Sequence, residues 1–140
     1  MSEAFQPEIV VLYCGRSINK DEYLPEGTKK LSGGNTRFVR VPCSSKIETG
    51  YLVKLIEEGV DGIVVVACPE VSCQFLIGSL RASGRVAHAR ALLDEVGMGG
   101  GRLGMVQQSN SFTATDIMAI AEERIQMVLP LGQNPMRRTR

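Results

Sequence analysis

A run of β-branched residues between two turn signals, Gly62-Ile63-Val64-Val65-Val66-Ala67, stops abruptly at Cys68-Pro69. A short run of this composition is a strand buried on both faces. Pro69 has no N–H to donate and biases the residue before it toward extended geometry, which ends the strand at Cys68. Four residues then separate Cys68 from Cys73, and Gln74-Phe75-Leu76-Ile77-Gly78 begins a helical pattern. A doubly buried strand leading into a helix constrains the chain to an α/β fold, with two thiols at the handover.

The rest of the sequence repeats that alternation. Glu8-Ile9-Val10-Val11-Leu12-Tyr13 is a first buried strand that ends at Cys14. From Gly15 to Asn35 the chain is polar and rich in turn formers, a long connection with room for a short helix. Thr36-Arg37-Phe38-Val39-Arg40-Val41 alternates as a second strand and stops at Pro42-Cys43. Ser45-Lys46-Ile47-Glu48 has the spacing of a capping box, in which a hydroxyl and a carboxylate satisfy the first turn reciprocally. The helix it opens carries Tyr51, Leu52, Leu55 and Ile56 on one face, with Gly59 as its C-terminal cap. After the third strand a helix extends from about Ser72 to Val96, with a break near Ser83-Gly84. Its second half puts Val86, Ala89, Leu92, Leu93 and Val96 on one stripe. Gly97 to Gly101 is a turn, Leu103-Gly104-Met105-Val106 a fourth strand, and Thr113 or Thr115 caps a last helix through Ile117, Ile120, Ala121 and Ile125. Residues 1–131 make one domain, and 132–140 are expected to be a disordered basic tail.

At 140 residues the chain is long enough to bury a substantial single core. A formal net charge of +1 exerts no global pull toward nucleic acid or membrane. Aromatics make up 5% of the chain and Trp is absent, which argues against a stacking surface for single strands. No basic segment followed by an apolar h-region opens the sequence, and no apolar run approaches ~20 residues. A cytoplasmic protein is expected, and in that reducing compartment its four Cys are ligands, redox groups or core filler.

In a parallel sheet, ligands collect outside the carboxyl ends of the strands. Cys14, Cys43 and Cys68 each close a strand and Cys73 lies just beyond, so all four thiols should emerge at one edge. Filler cysteines belong in strand middles and helix stripes instead. Four thiolates hold either Zn²⁺ in a closed structural site or an iron–sulfur cluster. Structural zinc gathers ligands as two close pairs, whereas one C-x₄-C pair joined to remote thiols is nearer to two-iron ferredoxin spacing. The helices after Cys43 and Cys73 would aim the positive ends of their dipoles at such a negative centre. Arg16, Lys46, Arg81 and Arg85 are candidates to add charge, with a solvated surface as the alternative for each. His88, the sole histidine, falls on the polar side of its helix, which leaves thiol catalysis without a base of the usual kind.

The combined pattern resembles the delta subunit of the methyl-viologen-reducing hydrogenase, a family of small iron–sulfur subunits that accompany heterodisulfide reductase. The resemblance spans about residues 8–127. It rests on the strand ending in Cys14, on Val41-Pro42-Cys43-Ser44, on Gly59-Val60-Asp61-Gly62-Ile63-Val64-Val65, and on Ala67-Cys68-Pro69-Glu70-Val71-Ser72-Cys73-Gln74-Phe75, continuing through Gly78-Ser79 to Arg85-Val86. It implies an α/β, flavodoxin-like single domain: a parallel sheet of about four strands with helices on both faces. It also implies one [2Fe–2S] cluster with Cys14, Cys43, Cys68 and Cys73 as ligands. The function it implies is relaying electrons between the flavin subunit of heterodisulfide reductase and a hydrogenase or formate dehydrogenase subunit, with no substrate chemistry of its own. Two positions depart from the family. Ser17 stands where a C-x-x-C would place a second cysteine, and Pro69-Glu70-Val71-Ser72 replaces His-Pro-Gly-Asp between the last two cysteines. Val71, Phe75 and Leu76 are candidates for partner contact, with core packing as the alternative. A zinc-stabilised interaction module and a dithiol oxidoreductase using Cys68 and Cys73 are the competing readings.

Overall fold

The computed structural model describes residues 6–14, 27–31, 34–41, 48–67, 78–106 and 113–135; the side chains of Cys14, 27–31 and 78–82 stand outside that description. The five strands it gives are β1 (Glu8–Cys14), β2 (Gly27–Leu31), β3 (Gly34–Val41), β4 (Gly62–Val66) and β5 (Leu103–Val106). Three helices, α1 (Thr49–Glu57), α2 (Gly78–Glu95) and α3 (Ala114–Val128), flank them. The sheet order is β2-β3-β1-β4-β5. β1 pairs in parallel with β3 on one side and β4 on the other, and β4 pairs in parallel with β5. The four parallel strands therefore run second-first-third-fourth, the doubly wound, flavodoxin-like order.

Pleat alternation divides the core into two layers. Ile9, Val11 and Tyr13 of β1, with Phe38, Val64 and Val66, pack against Ile117, Ala121, Ile125 and Val128 of α3. Val10 and Leu12, with Ile63, Val65 and Leu103, pack against Leu52, Leu55 and Ile56 of α1 and Val86, Ala89 and Leu93 of α2. Every residue of β4 is buried, as a strand covered on both faces must be. Each such aliphatic side chain contributes about 1.5–3 kcal/mol on leaving water. Gly62 is required by close packing: a Cβ there would meet Ile9 Cδ1 and Val128 Cγ2, each at 2.8 Å.

Several expectations change. The connection from Gly15 to Asn35 contains a strand, β2, which runs antiparallel to β3 at the edge of the sheet. Parallel strands are buried on both faces, whereas an antiparallel edge strand needs little apolar content, and Gly-Thr-Lys-Lys-Leu gives no strand pattern. The capping box expected at Ser45–Glu48 does not start α1. Glu48 is itself the N-cap, in extended geometry and without a side-chain cap bond, while Ser45 to Ile47 lie outside the described residues. The C-terminal end is as expected, with Gly59 at φ 105°. α2 is continuous through Ser83-Gly84; its expected first part, Ser72 to Ile77, lies outside the described residues. Val96 does not join the stripe and is 68% exposed, because α2 ends at Glu95. Thr113 caps α3 with a full capping box, its hydroxyl accepting from Asp116 N while Asp116 accepts from Thr113 N.

The packed chain also continues past the expected boundary at residue 131. Asn134 is 1% exposed, and its side-chain amide donates to Ile56 O at 2.7 Å and Val60 O at 2.6 Å. Its backbone N–H donates to Asp61 Oδ1 at 2.7 Å, while Asp61 Oδ2 accepts from Glu8 N at 2.8 Å. Arg102, 1% exposed, completes this network by donating to the carbonyls of Met98, Asp61, Leu131 and Gly132. Burial pushes the Arg102 guanidinium down from its usual range and the Asp61 carboxylate opposes the shift; a guanidinium nevertheless keeps its proton in proteins. Glu8 begins β1, Asp61 directly precedes β4 and Arg102 directly precedes β5, so the network closes the amino edge of the sheet. Residues 136–140 lie outside the described residues.

Replacing Asn134 with Ala leaves two buried carbonyls without their donor, and urea denaturation should show a loss of about 2–4 kcal/mol. Thr113→Ala, which removes only a helix cap, should cost about 1 kcal/mol in the same measurement.

Candidate metal centre

All four parallel strands point their carboxyl ends to one rim, and the ladder registers fix which residues stand level there. Cys14 is opposite Val41 across β1 and β3, and Tyr13 is opposite Val66 across β1 and β4. Val66 is in turn opposite Val106. The ladder continues one residue past β4, since Ala67 N donates to Val106 O at 3.0 Å. Cys14, Val41 and Ala67 therefore form the last row of the sheet, with Val106 one residue back beside Val66.

The candidate ligands are placed by this row to different degrees. The backbone of Cys14 lies in it. Cys43 follows Val41 by two residues and Cys68 follows Ala67 directly, so the strands leading to both end beside Cys14. Cys43, Cys68 and Cys73 themselves, with Pro42 and Pro69, lie outside the described residues, as do Val71, Phe75 and Leu76. The strand order reverses at β1, whose neighbours on either side are reached by separate connections. In open α/β sheets such a reversal, at the carboxyl ends, is the position where ligands are held. Cys14 ends the strand at the reversal and Cys68 follows its neighbour.

The floor of the rim is dry. Val66 and Ala67 are fully buried and Tyr13 is 9% exposed. Helices that follow parallel strands begin at this same edge, and neither α1 nor α2 carries an acidic residue in its first turn. α3 by contrast has Asp116 in its first turn, and the carboxylate of Glu48 at the N-cap of α1 offsets part of that helix's positive end. Thr49 at the start of α1 reaches the carbonyl of Arg85 with its hydroxyl at 3.4 Å, a long contact. Of the four candidate cations, Arg85 is half-buried on α2; Arg16, Lys46 and the side chain of Arg81 lie outside the described residues. His88 is exposed on α2, as its helical position implied.

Thiolate donors suit a thiophilic centre, iron–sulfur or zinc, and the described rim brings the backbone of Cys14 beside the strand ends that lead toward Cys43 and Cys68. Among the described residues there is no group of three or more His, Cys, Asp or Glu that could hold a metal ion. No described helix is long and apolar enough to cross a membrane. Sequence reasoning did not single out the buried group of Asp61, Arg102 and Asn134. It lies at the opposite edge, and its only signals were an acid wedged into Gly-Val-Asp-Gly and an arginine just before β5.

The profile of the methyl-viologen-reducing hydrogenase, delta subunit, matches residues 9–132. The F420-non-reducing hydrogenase vhu iron-sulfur subunit of Methanocaldococcus jannaschii is 34% identical over 130 residues, which cover 92% of this chain and 96% of that one. The protein of the same name from Methanococcus maripaludis is 31% identical over 112 residues, covering 79% and 83%. A third similarity is internal to a larger protein. One subunit of the ferredoxin:CoB-CoM heterodisulfide reductase of Methanosarcina mazei is 28% identical over 69 residues, which are 49% of this chain and 9% of that much longer one.

Native-state amide exchange checks the rim itself. The Ala67 N–H, bonded to Val106 O and buried, should exchange only through opening of the whole domain, at the same free energy as Val65. Exchange of Ala67 through a lower-energy local opening would mean that β4 does not hold the residue before Cys68.

Proposed function

The chain belongs to the methyl-viologen-reducing hydrogenase delta-subunit family, and from that premise we propose that it is an electron-transfer subunit holding one [2Fe–2S] cluster on Cys14, Cys43, Cys68 and Cys73. The observation that carries this reading is the last row of the sheet, where Cys14 stands beside the two strand ends that lead into Cys43 and Cys68. Four thiols also match the ligand count of such a cluster, with none to spare in a chain of four Cys.

Bound there, the cluster supplies reversible one-electron chemistry, one electron in and one out, with no bond made or broken in a substrate. The residues of this chain do the rest. The four thiols bind as thiolates and release their protons on loading. Val66, Ala67 and Tyr13 exclude water from the floor of the rim, and the starts of α1 and α2 supply positive potential to an anionic centre. The rim is also where partners must approach, because a carrier has to come close to both donor and acceptor.

The relatives indicate which partners those are. Their names describe iron–sulfur subunits of a hydrogenase, and a segment of this kind forms part of a heterodisulfide reductase. These names support a hydrogenase subunit and heterodisulfide reductase as partners. We further propose that the chain works in the cytoplasm, that a formate dehydrogenase subunit can take the hydrogenase subunit's place, and that the flavin subunit of heterodisulfide reductase is on the other side.

Anaerobic purification tests the assignment. Equal iron and acid-labile sulfide, about two of each per chain, with a paramagnetic signal on one-electron reduction are the expected results. Cys14→Ser, Cys43→Ser, Cys68→Ser and Cys73→Ser should each lower cluster content. Colourless protein with stoichiometric zinc, or metal-free protein with a titratable dithiol at Cys68 and Cys73, would overturn the proposal. A Cys14→Ser variant with an intact cluster would remove Cys14 from the ligand set.

A further inference from the structure

At the ends of α1 and α2 remote from the rim lies a groove of about 420 Å³, lined by Val53, Ile56, Leu92, Val96, Met98 and Pro135, with Glu57 on its wall. Val96 is 68% exposed, the most exposed of the large apolar side chains described. Exposed carboxylates stand at the same two helix ends: Glu57, on the groove wall, and Glu58 at the end of α1, Asp94 and Glu95 at the end of α2.

Acidic residues are unfavourable at these positions, because a helix C-terminus is already the negative end of the dipole. The last turn of α2 has no basic residue and that of α1 has only Lys54. Asp94 has a structural use, accepting from Gly100 N at 2.7 Å. The carboxylates of Glu57 and Glu95 cap neither helix. An apolar slot whose rim combines two negative helix ends with unhelpful local acids is complementary to a cationic, apolar ligand.

We propose that this groove docks a basic amphipathic helix of a partner protein, its apolar face on Val53, Leu92, Val96 and Met98 and its Lys or Arg side chains on Glu57 and Glu95. Such a helix presents anchors at spacings of three and four residues, which suits a slot between two packed helices. The site is independent of the thiol rim and lies at the other end of the sheet. The competing occupant is in the chain itself, since Pro135 is followed by the basic sequence Met136-Arg137-Arg138-Thr139-Arg140.

The test uses the full chain, loaded anaerobically, and a dye-labelled amphipathic Leu/Lys peptide of about 18 residues, long enough to be helical, with a Leu/Glu counterpart. Fluorescence anisotropy should show saturable binding of one Leu/Lys peptide per chain and none of the Leu/Glu peptide. Val96→Asp should weaken binding about tenfold or more, as a central anchor does. Val96 is outside the core, so its melting temperature should not change. The double variant Glu57→Lys, Glu95→Lys should lose the Leu/Lys peptide and gain the Leu/Glu one. Equal binding of both peptides, or binding indifferent to these substitutions, would overturn the proposal. So would tighter binding by a chain ending at Pro135, which would assign the groove to residues 136–140.

Discussion

The parallel pairing of β1 with neighbours on both sides is the constraint from which the architecture follows. Five consecutive core residues, Ile9 to Tyr13, leave no face of this strand for water. A strand buried in that way must have a partner along each edge and a helix layer over each face. β3 and β4 fill the edges, α3 covers one face, and α1 with α2 covers the other. Because β1 comes first in the chain and sits centrally, the connections to its two neighbours diverge. Open α/β sheets hold ligands at such a divergence, so one buried strand fixes both the fold and the position of the candidate site.

The two edges of the sheet have different chemistry. The amino edge is closed by Asp61, Arg102 and Asn134, each of which bonds to backbone from a different part of the chain. Burying a guanidinium is costly unless its donors are satisfied, and here carbonyls of the turn before β5, of the start of β4 and of the segment after α3 satisfy them. Removing one member of such a network leaves the others uncompensated, which makes it cooperative. It joins β1 to β4 directly, through the reciprocal pair formed by Glu8 N with Asp61 Oδ2 and Asp61 N with Glu8 O. The relative register of the strands that carry Cys14 and precede Cys68 is thus set from the end remote from the thiols.

How much of this was readable in the sequence depended on whether the signal was local. The apolar runs of β1 and β4 declare themselves, since a doubly buried strand has no alternative use for consecutive Val and Ile. Thr113 and Asp116 show their capping box because both partners lie within one turn. β2 was not readable: the strand is made by pairing with β3, and Gly-Thr-Lys-Lys-Leu has no pattern of its own. The same holds for the segment after α3, where Gly, Gln, Asn and Pro suggest a loose tail. Asn134 is buried by acceptors 74 and 78 residues away in sequence, Val60 O and Ile56 O, and no periodicity encodes that. The thiols fall between these cases. Their position at strand exits is a local signal, and the ladder carries Cys14 and the approaches to Cys43 and Cys68 to one row, whereas the sulfurs lie beyond what the backbone register specifies.

Among the described residues, the buried Asp61–Arg102–Asn134 group holds the strands from their amino ends. A binding loop at the end of a strand contributes few buried contacts of its own, and the low-stability end of a fold is where such loops belong. Here the strands leading to the rim are held along their length by two apolar layers and at their far end by the Asp61–Arg102–Asn134 group. The approach of these strands to the rim is thus fixed by contacts made within the described residues before Val41 and Ala67 are reached. In the sequence, Pro42 comes directly after Val41, the last described position of β3, and Pro69 comes after Cys68, beyond the strand end at Ala67, so a residue without an N–H takes no bond from the described ladder.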